Sequence, residues 1–393
     1  MADQDLNDNS ASYWLKTCPT TNFEPLKTGM KVDTIIIGGG IAGITTGSIL
    51  KDMGYDVAVI ESDRIVKEVT VGTTAKISVA PNMIYHNLIE KFGRKKALKI
   101  ANANKNALKK IEEIVSTKNI DCEFHKTPIY IFTESNSGVQ EIKEEYEAAV
   151  ELGFDVELIH ENPLPFKTSC SLKYPNQAQF HPRKYLLALA QEIDGDGSHV
   201  FENTRALSLK NGAVKEVVTD KGSIMANNIV IATHIPFYDP DHLKNHLQQG
   251  RSYVLGLYTQ TEFPDGMFVE SNPVHTYRTT PTPKGQLVIV AGEHSEMNVE
   301  DMYKYFNKLE EYARNHLYVK SVDYSWSSHD SVTDDGLPMI GMTSMDGVYV
   351  ATGFGFWGMN NGTTAGMIIA DLIDGQENNL KDILDPLRFK GKH

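Results

Sequence analysis

With 393 residues, 41% of them hydrophobic, the chain has material for two domains or one large α/β unit. A net charge of −13 excludes nucleic acid as the main partner, because phosphate binding needs a basic footprint. The three cysteines, Cys18, Cys122 and Cys170, form no CxxC pair, which argues against a disulfide framework or a thiolate metal site, and the histidines show no ligand spacing with acids that would suggest a metal.

Residues 1–30 are polar, without the basic start and apolar middle of a signal peptide, and read as an arm lying on the surface, with Trp14 as its anchor. No run long enough for a membrane span follows, so the expected location is cytoplasmic. "VDTIII" then reads as a buried strand, "IAGITTGSILKDMG" as a helix ending at Gly54, and "DVAVIE" as a second parallel strand, together a βαβ unit. Residues 82–118 have helical apolar spacing, "TPIYIFT" reads as a strand, and "VQEIKEEYEAAVELG" and "HPRKYLLALAQEI" read as helices. "AVKEVVTDKGSIMANNIVIAT" reads as a hairpin feeding a buried strand, and residues 250–295 alternate like antiparallel strands. "NVEDMYKYFNKLEEYARNHL" is a helix, and "GVYVATGFGFWGMNNGTTAGMIIADLI" reads as strand, glycine-rich turn and helix. Strand–helix signals at both ends predict one sheet assembled from discontinuous segments.

Gly38, Gly40 and Gly43 have G-x-G-x-x-G spacing between strand and helix. The first permits the tight turn, the second lets a pyrophosphate approach the backbone, and the third lets the helix pack close to the strand. The following strand ends in Glu61, placed to bind ribose hydroxyls and to repel a 2′-phosphate. NAD and FAD share this fingerprint. Gly353, Gly355, Gly358 and Gly362, ahead of a second apolar helix, favour FAD, since a helix N-terminus stabilises negative charge developing on a reduced flavin.

"IIIGGGIAG", "VGTTAKIS", "HPRKYLLALA", "NNIVIAT", "DGLPMIG" and "ATGFGFWGMNNGTTAG" jointly resemble the FAD-dependent oxidoreductases of the D-amino acid oxidase and glycine oxidase (DAO) family, from about Ser12 to Gly375. "TTAKIS", "WSSHDSVTDDGLPMIG" and "WGMNNGT" look closest to a branch often fused to a Rieske domain. The chain carries no CxH…CxxH pair, so an iron–sulfur cluster is not expected and the electron acceptor would be external, oxygen or a carrier protein. Gly72 and Phe354 to Phe356 depart from the family pattern near the isoalloxazine.

The resemblance implies an α/β fold. Its parts would be a discontinuous Rossmann-like FAD-binding domain (31–85, 172–235 and 326–375), an α+β substrate domain with a mostly antiparallel sheet (86–171 and 236–325), and a C-terminal tail (376–393). FAD would be non-covalent, since no cysteine lies late in the chain. Gly38, Gly40 and Gly43 would hold its pyrophosphate and Glu61 its adenosine ribose. Thr73, Thr74 and Ala75 would lie along the flavin, and the backbone at Ala206 would meet the adenine. Gly353, Gly358, Asn360 and Gly362 would border the pyrimidine. The implied activity is oxidation of a small amine or amino acid (glycine, sarcosine or D-amino acid-like) to an imine. The alternative is an electron-transfer flavoprotein serving a partner. For a substrate carboxylate the candidate clamp is Arg278 in "VHTYRTTP", with Arg251 as second choice. Lys76 is placed to hold an anion or raise oxygen reactivity, and His294 to accept a proton.

Overall fold

The computed structural model describes residues 11–272 and 274–390. At its centre is a six-stranded sheet, in the order Met339–Met342, Val348–Thr352, Asn228–Ile231, Thr34–Ile37, Val57–Ile60, His199–Phe201. All neighbours are parallel except the antiparallel edge Met339–Met342. Every residue of Thr34–Ile37 and Val57–Ile60 is buried, as a parallel sheet covered on both faces requires.

Helix Ile41–Asp52 follows the glycine turn and is buried at every position from Ile41 to Leu50. It is enclosed by the sheet and by helices Pro182–Ile193 and Gly358–Ile373. The contact with the last is close because Gly362 and Gly366 meet it. A Cβ on Gly362 would stand 2.9 Å from the Ile41 side chain, and one on Gly366 3.2 Å from Thr45.

A small four-stranded sheet packs beside this layer, in the order Met30–Lys31, Ser223–Ala226, Lys215–Thr219, Ala206–Lys210. The larger sheet runs Val319–Thr333, Leu247–Thr259, Gly285–Ser295, Thr276–Thr282, Met267–Glu270, His125–Thr133, Cys170–Gln179, Lys76–Ile77. Its pairings are antiparallel except for Met267–Glu270 on His125–Thr133. Alternation sorts its two faces. Tyr253, Leu255, Tyr277, Val288 and Val290 form an aromatic and aliphatic core beneath helix Tyr303–His316. Ser252, Val254, Thr276, Ala291, Ser328 and Asp330 lie on the opposite face.

The α/β architecture with a mostly antiparallel second sheet is as the sequence implies, but segment boundaries differ. Cys170–Gln179 and Val319–Thr333 belong to the larger sheet, because their ladders run to His125–Thr133 and Leu247–Thr259. The helical run 82–118 divides into Tyr85–Phe92 and Arg94–Thr117 at Gly93, whose φ of +79° breaks the helix.

Residues 1–10 of the anticipated arm lie outside the described residues; the rest is woven into the body. Trp14 is fully buried, and its Nε1 donates to the Thr73 carbonyl at 2.8 Å. The buried Glu202 carboxylate accepts from the Phe23 N–H at 3.2 Å and from Thr21 Oγ1. In the tail, Arg388 makes a two-pronged pair with Asp335 at 2.8 Å on each nitrogen; residues 391–393 lie outside the described residues. Trp14→Ala, which removes both a core ring and a donor, is expected to lower stability by about 3–5 kcal/mol, measured by urea unfolding.

Candidate active site

The glycine turn, the start of helix Gly358–Ile373 and the polar face of the larger sheet enclose a cleft of about 670 Å³. Its size is that of a site for a sizeable organic ligand. One end is built on the sequence fingerprint. Gly38 has φ +115°, and any Cβ there would lie 2.3 Å from the Ala232 carbonyl. A Cβ on Gly43 would lie 1.9 Å from the Gly38 carbonyl oxygen. Gly39 N–H donates to Glu61 Oε2 at 2.9 Å, and Asp63 N–H donates to Oε1 at 3.1 Å, so the carboxylate is fixed at the cleft wall. Helices Ile41–Asp52 and Gly358–Ile373 both open without a hydrogen bond from their own N-cap side chain. Gly40 and Ile41 begin the first at the cleft wall, and Trp357 and Gly358 begin the second there. Their N-termini are therefore sites for anionic groups or for developing negative charge.

Between these ends lies the loop Gly72–Ala75, whose carbonyls are all held by buried donors. Trp326 Nε1 bonds the Gly72 carbonyl at 3.0 Å and Trp14 Nε1 the Thr73 carbonyl at 2.8 Å. Arg278 Nη1 reaches the carbonyls of Thr74 (3.1 Å), Ala75 (2.9 Å) and Phe180 (3.1 Å). None of the three donor side chains lines the cleft, so the carbonyls point away from it while Gly72, Thr73 and Thr74 still border it. Ala75, held at φ +56°, lies behind the wall.

Arg278 thus has a different task from the one its sequence context suggests. It is 2% exposed, its Nε and Nη2 donate to the Thr279 carbonyl, and the guanidinium sits 5.4 Å from the Trp14 ring centre. Its guanidinium is bonded to backbone carbonyls and does not line the cleft, so it is not placed to clamp a substrate carboxylate there. Arg251 also lies outside the cleft wall, its Nη1 on Ser327 Oγ at 2.7 Å.

Lys76 does line the cleft. It is 5% exposed, and its Nζ lies 3.0 Å from Thr74 Oγ1 and 2.8 Å from Thr276 Oγ1. Burial, and then the charge of Arg278, hold its pKa well below 10.5. No carboxylate pairs with it among these bonds. His294 stands at the exposed mouth, its Nδ1 3.1 Å from Ser252 Oγ and its ring edge-on to Phe356.

Gly353 and Gly358 border the cleft as anticipated, while Asn360 and Gly362 lie one layer behind. Asn360 Oδ1 accepts from the Ser78 N–H at 3.2 Å, and Gly362 serves the helix contact. Ala206, on the small sheet, is not part of the cleft wall.

Asp330 and His234 are the wall residues that the sequence reading passed over. Asp330 is 7% exposed, and its oxygens accept from the Ser331 N–H at 2.7 Å and the Phe356 N–H at 2.6 Å. Burial raises its pKa from 3.8 to about 6. Alternation along Trp326, Ser328 and Asp330 was the signal that would have found it.

A glycine cradle with two helix N-termini opening into one cleft, facing a sheet with a buried amine, fits a flavin-dependent oxidoreductase. Residues 33–372 match the DAO family, described as FAD dependent oxidoreductase. The chain is 36% identical over 384 residues to the putative Rieske 2Fe-2S iron-sulfur protein YhfW of Bacillus subtilis, covering 96% of this chain and 75% of that protein. It is 20% identical to the gamma-glutamylputrescine oxidoreductase of Escherichia coli, over 94% of this chain and 90% of that one. Its fold matches glycine oxidase from Geobacillus kaustophilus with a TM-score of 0.73 at 18% identity, covering 92% of this chain and 100% of that one. The chain belongs to the DAO family of FAD-dependent oxidoreductases.

FAD fits the residues present. A Cβ at Gly38 or Gly43 would collide with backbone, Glu61 is fixed at the cleft wall beside the glycine turn, and none of the three free cysteines lines the cleft, in keeping with a non-covalent cofactor.

Two outcomes follow. Arg278→Lys, which cannot span the same carbonyls, is expected to lower the melting temperature and loosen FAD; a carboxylate clamp would instead show as a raised KM on a stable protein. For Asp330 the folded pKa exceeds the unfolded one, so the folded state binds more protons between pH 3.8 and about 6, and this group's contribution to stability falls as pH rises through that window. Wild type is expected to lose roughly 2 kcal/mol relative to Asp330→Asn from pH 4 to pH 7, measured by denaturant unfolding at each pH.

Proposed function

We propose that this enzyme oxidises a small amine or amino acid to the corresponding imine, which then hydrolyses, with oxygen or a carrier protein as final acceptor. FAD, when bound, supplies the acceptor for the hydride leaving the carbon that bears nitrogen. The protein's tasks are to bind the substrate against the cofactor, to exclude water and to take the proton that an ammonium must lose first. Lys76 suits the last task, because burial lowers its pKa well below the ordinary 10.5 and so favours the uncharged amine, while two threonine hydroxyls fix its position. Ser252, Val254, Thr276 and Ser328 form the sheet wall of the substrate chamber, with Phe354 and Trp357 beside the second helix start.

The observation that carries this reading is the buried Lys76 amine, held by two threonine hydroxyls and bonded to no carboxylate among the described residues, between the Gly72–Ala75 loop and the sheet wall. The names of the glycine oxidase and the gamma-glutamylputrescine oxidoreductase support substrates of the amine and amino acid class. The name of the Bacillus relative, an iron–sulfur protein, favours a second reading in which the flavin exchanges electrons with a carrier.

The test is anaerobic mixing with a panel of amines and amino acids while the flavin's visible band is followed. Bleaching by a panel member is the expected result; bleaching only by a reduced carrier protein overturns substrate oxidation. Lys76→Met is expected to slow bleaching by roughly 10²-fold or more at neutral pH and to remove the lysine's limb from the pH–rate profile.

A further inference from the structure

Among the described residues, Asp330 is a carboxylate whose hydrogen bonds come from two backbone N–H groups, with no lysine or arginine paired to it. The nearest titratable side chain is His234, whose Nδ1 lies 3.9 Å from Oδ1. Burial and the neighbouring His329 bring that ring's pKa down to about 4, so it is neutral at physiological pH. His234 Nε2 is itself buried without a partner. Both side chains face the cleft, where Phe354, Phe356 and Trp357 supply apolar surface.

The cleft's cationic side chains do not neutralise this charge. Arg64 and Lys67 belong to the Glu61 end and pair with Glu202 and Asp63. Lys76 Nζ is bonded to the Thr74 and Thr276 hydroxyls and burial lowers its pKa, and Arg278 lies behind the wall bonded to backbone carbonyls. The substrate half of the cavity therefore presents a negative charge and no guanidinium. A substrate carboxylate there would meet Asp330 without a counter-charge, whereas an ammonium would supply the missing partner.

We propose that the cavity selects a cationic amine that carries no carboxylate beside its amino group, and that Asp330 anchors the substrate's ammonium. This rests on the amine-oxidation reading and narrows it from amines and amino acids to amines. The apolar wall of Phe354, Phe356 and Trp357 suits a hydrocarbon substituent on the amine.

Matched probes differing only in the carboxylate test it: benzylamine against D- and L-phenylglycine. Each is titrated into the FAD-loaded protein, binding is read from the perturbed flavin spectrum and from the thermal shift, and reduction is followed anaerobically. Benzylamine is expected to bind at least about tenfold tighter than either phenylglycine. Asp330→Asn is expected to weaken benzylamine by at least about tenfold while leaving benzoate binding as tight or tighter. The proposal is overturned if either phenylglycine binds as tightly as benzylamine, if benzylamine does not bind, or if Asp330→Asn binds benzylamine unchanged. Should that variant fail to fold, the wild-type comparison decides alone. If benzylamine binds preferentially but no panel amine bleaches the flavin, the oxidation reading fails and the charge preference stands.

Discussion

Two helices can begin side by side at one cofactor only where no Cβ stands between them, and this chain meets that constraint with glycine at each point of contact. Gly43 lies over the Gly38 carbonyl, and Gly362 and Gly366 lie against Ile41 and Thr45. The consequence is electrostatic. Two helix N-termini, from segments some 300 residues apart in sequence, open into the same cleft and turn their positive dipole ends toward it. A larger residue at Gly43 would lift helix Ile41–Asp52 off the central strand and take the phosphate cradle with it.

The opposite wall depends on a different device. The Gly72–Ala75 loop has little regular structure, yet its four carbonyls are fixed by Trp326, Trp14 and Arg278. These donors come from the larger sheet and from the N-terminal segment, so the loop stays in place only if both are docked. A buried guanidinium is costly to desolvate, and here its cost is offset by carbonyl acceptors and by the face of Trp14. Lys76, next in the chain, inherits both its position and its low pKa from this arrangement. The cavity wall thereby combines a lysine of lowered pKa with an ionisable aspartate, while the arginine is turned away behind it, and the sign presented to a ligand follows from which of these face inward.

Much of this was legible before any coordinates. The glycine spacing, Glu61 and the strand–helix order are local patterns, and the structure brings these residues together at one end of the cleft. Arg278 was misread because residue parity places it on the cleft-facing side of its strand with Thr276, while its height along the strand, which only the tertiary register sets, puts it beyond the cavity. Asp330 was missed because "WSSHDSV" was matched as a family string and not read for alternation. The insertion of Trp14 could not be read at all, since its partner, Thr73, lies 59 positions away and is contacted through a carbonyl that any residue type would offer. Ala206 and Gly362 show the same limit: a string can indicate that a position matters without indicating whether it faces the ligand or the layer behind.

The account turns on one FAD molecule held without a covalent bond between the two helix starts. Denaturing the purified protein and measuring the released flavin tests this most directly. One equivalent of free FAD per chain in the supernatant is the predicted result. A protein that yields no flavin even after incubation with FAD, or whose flavin stays with the precipitated chain, would contradict it.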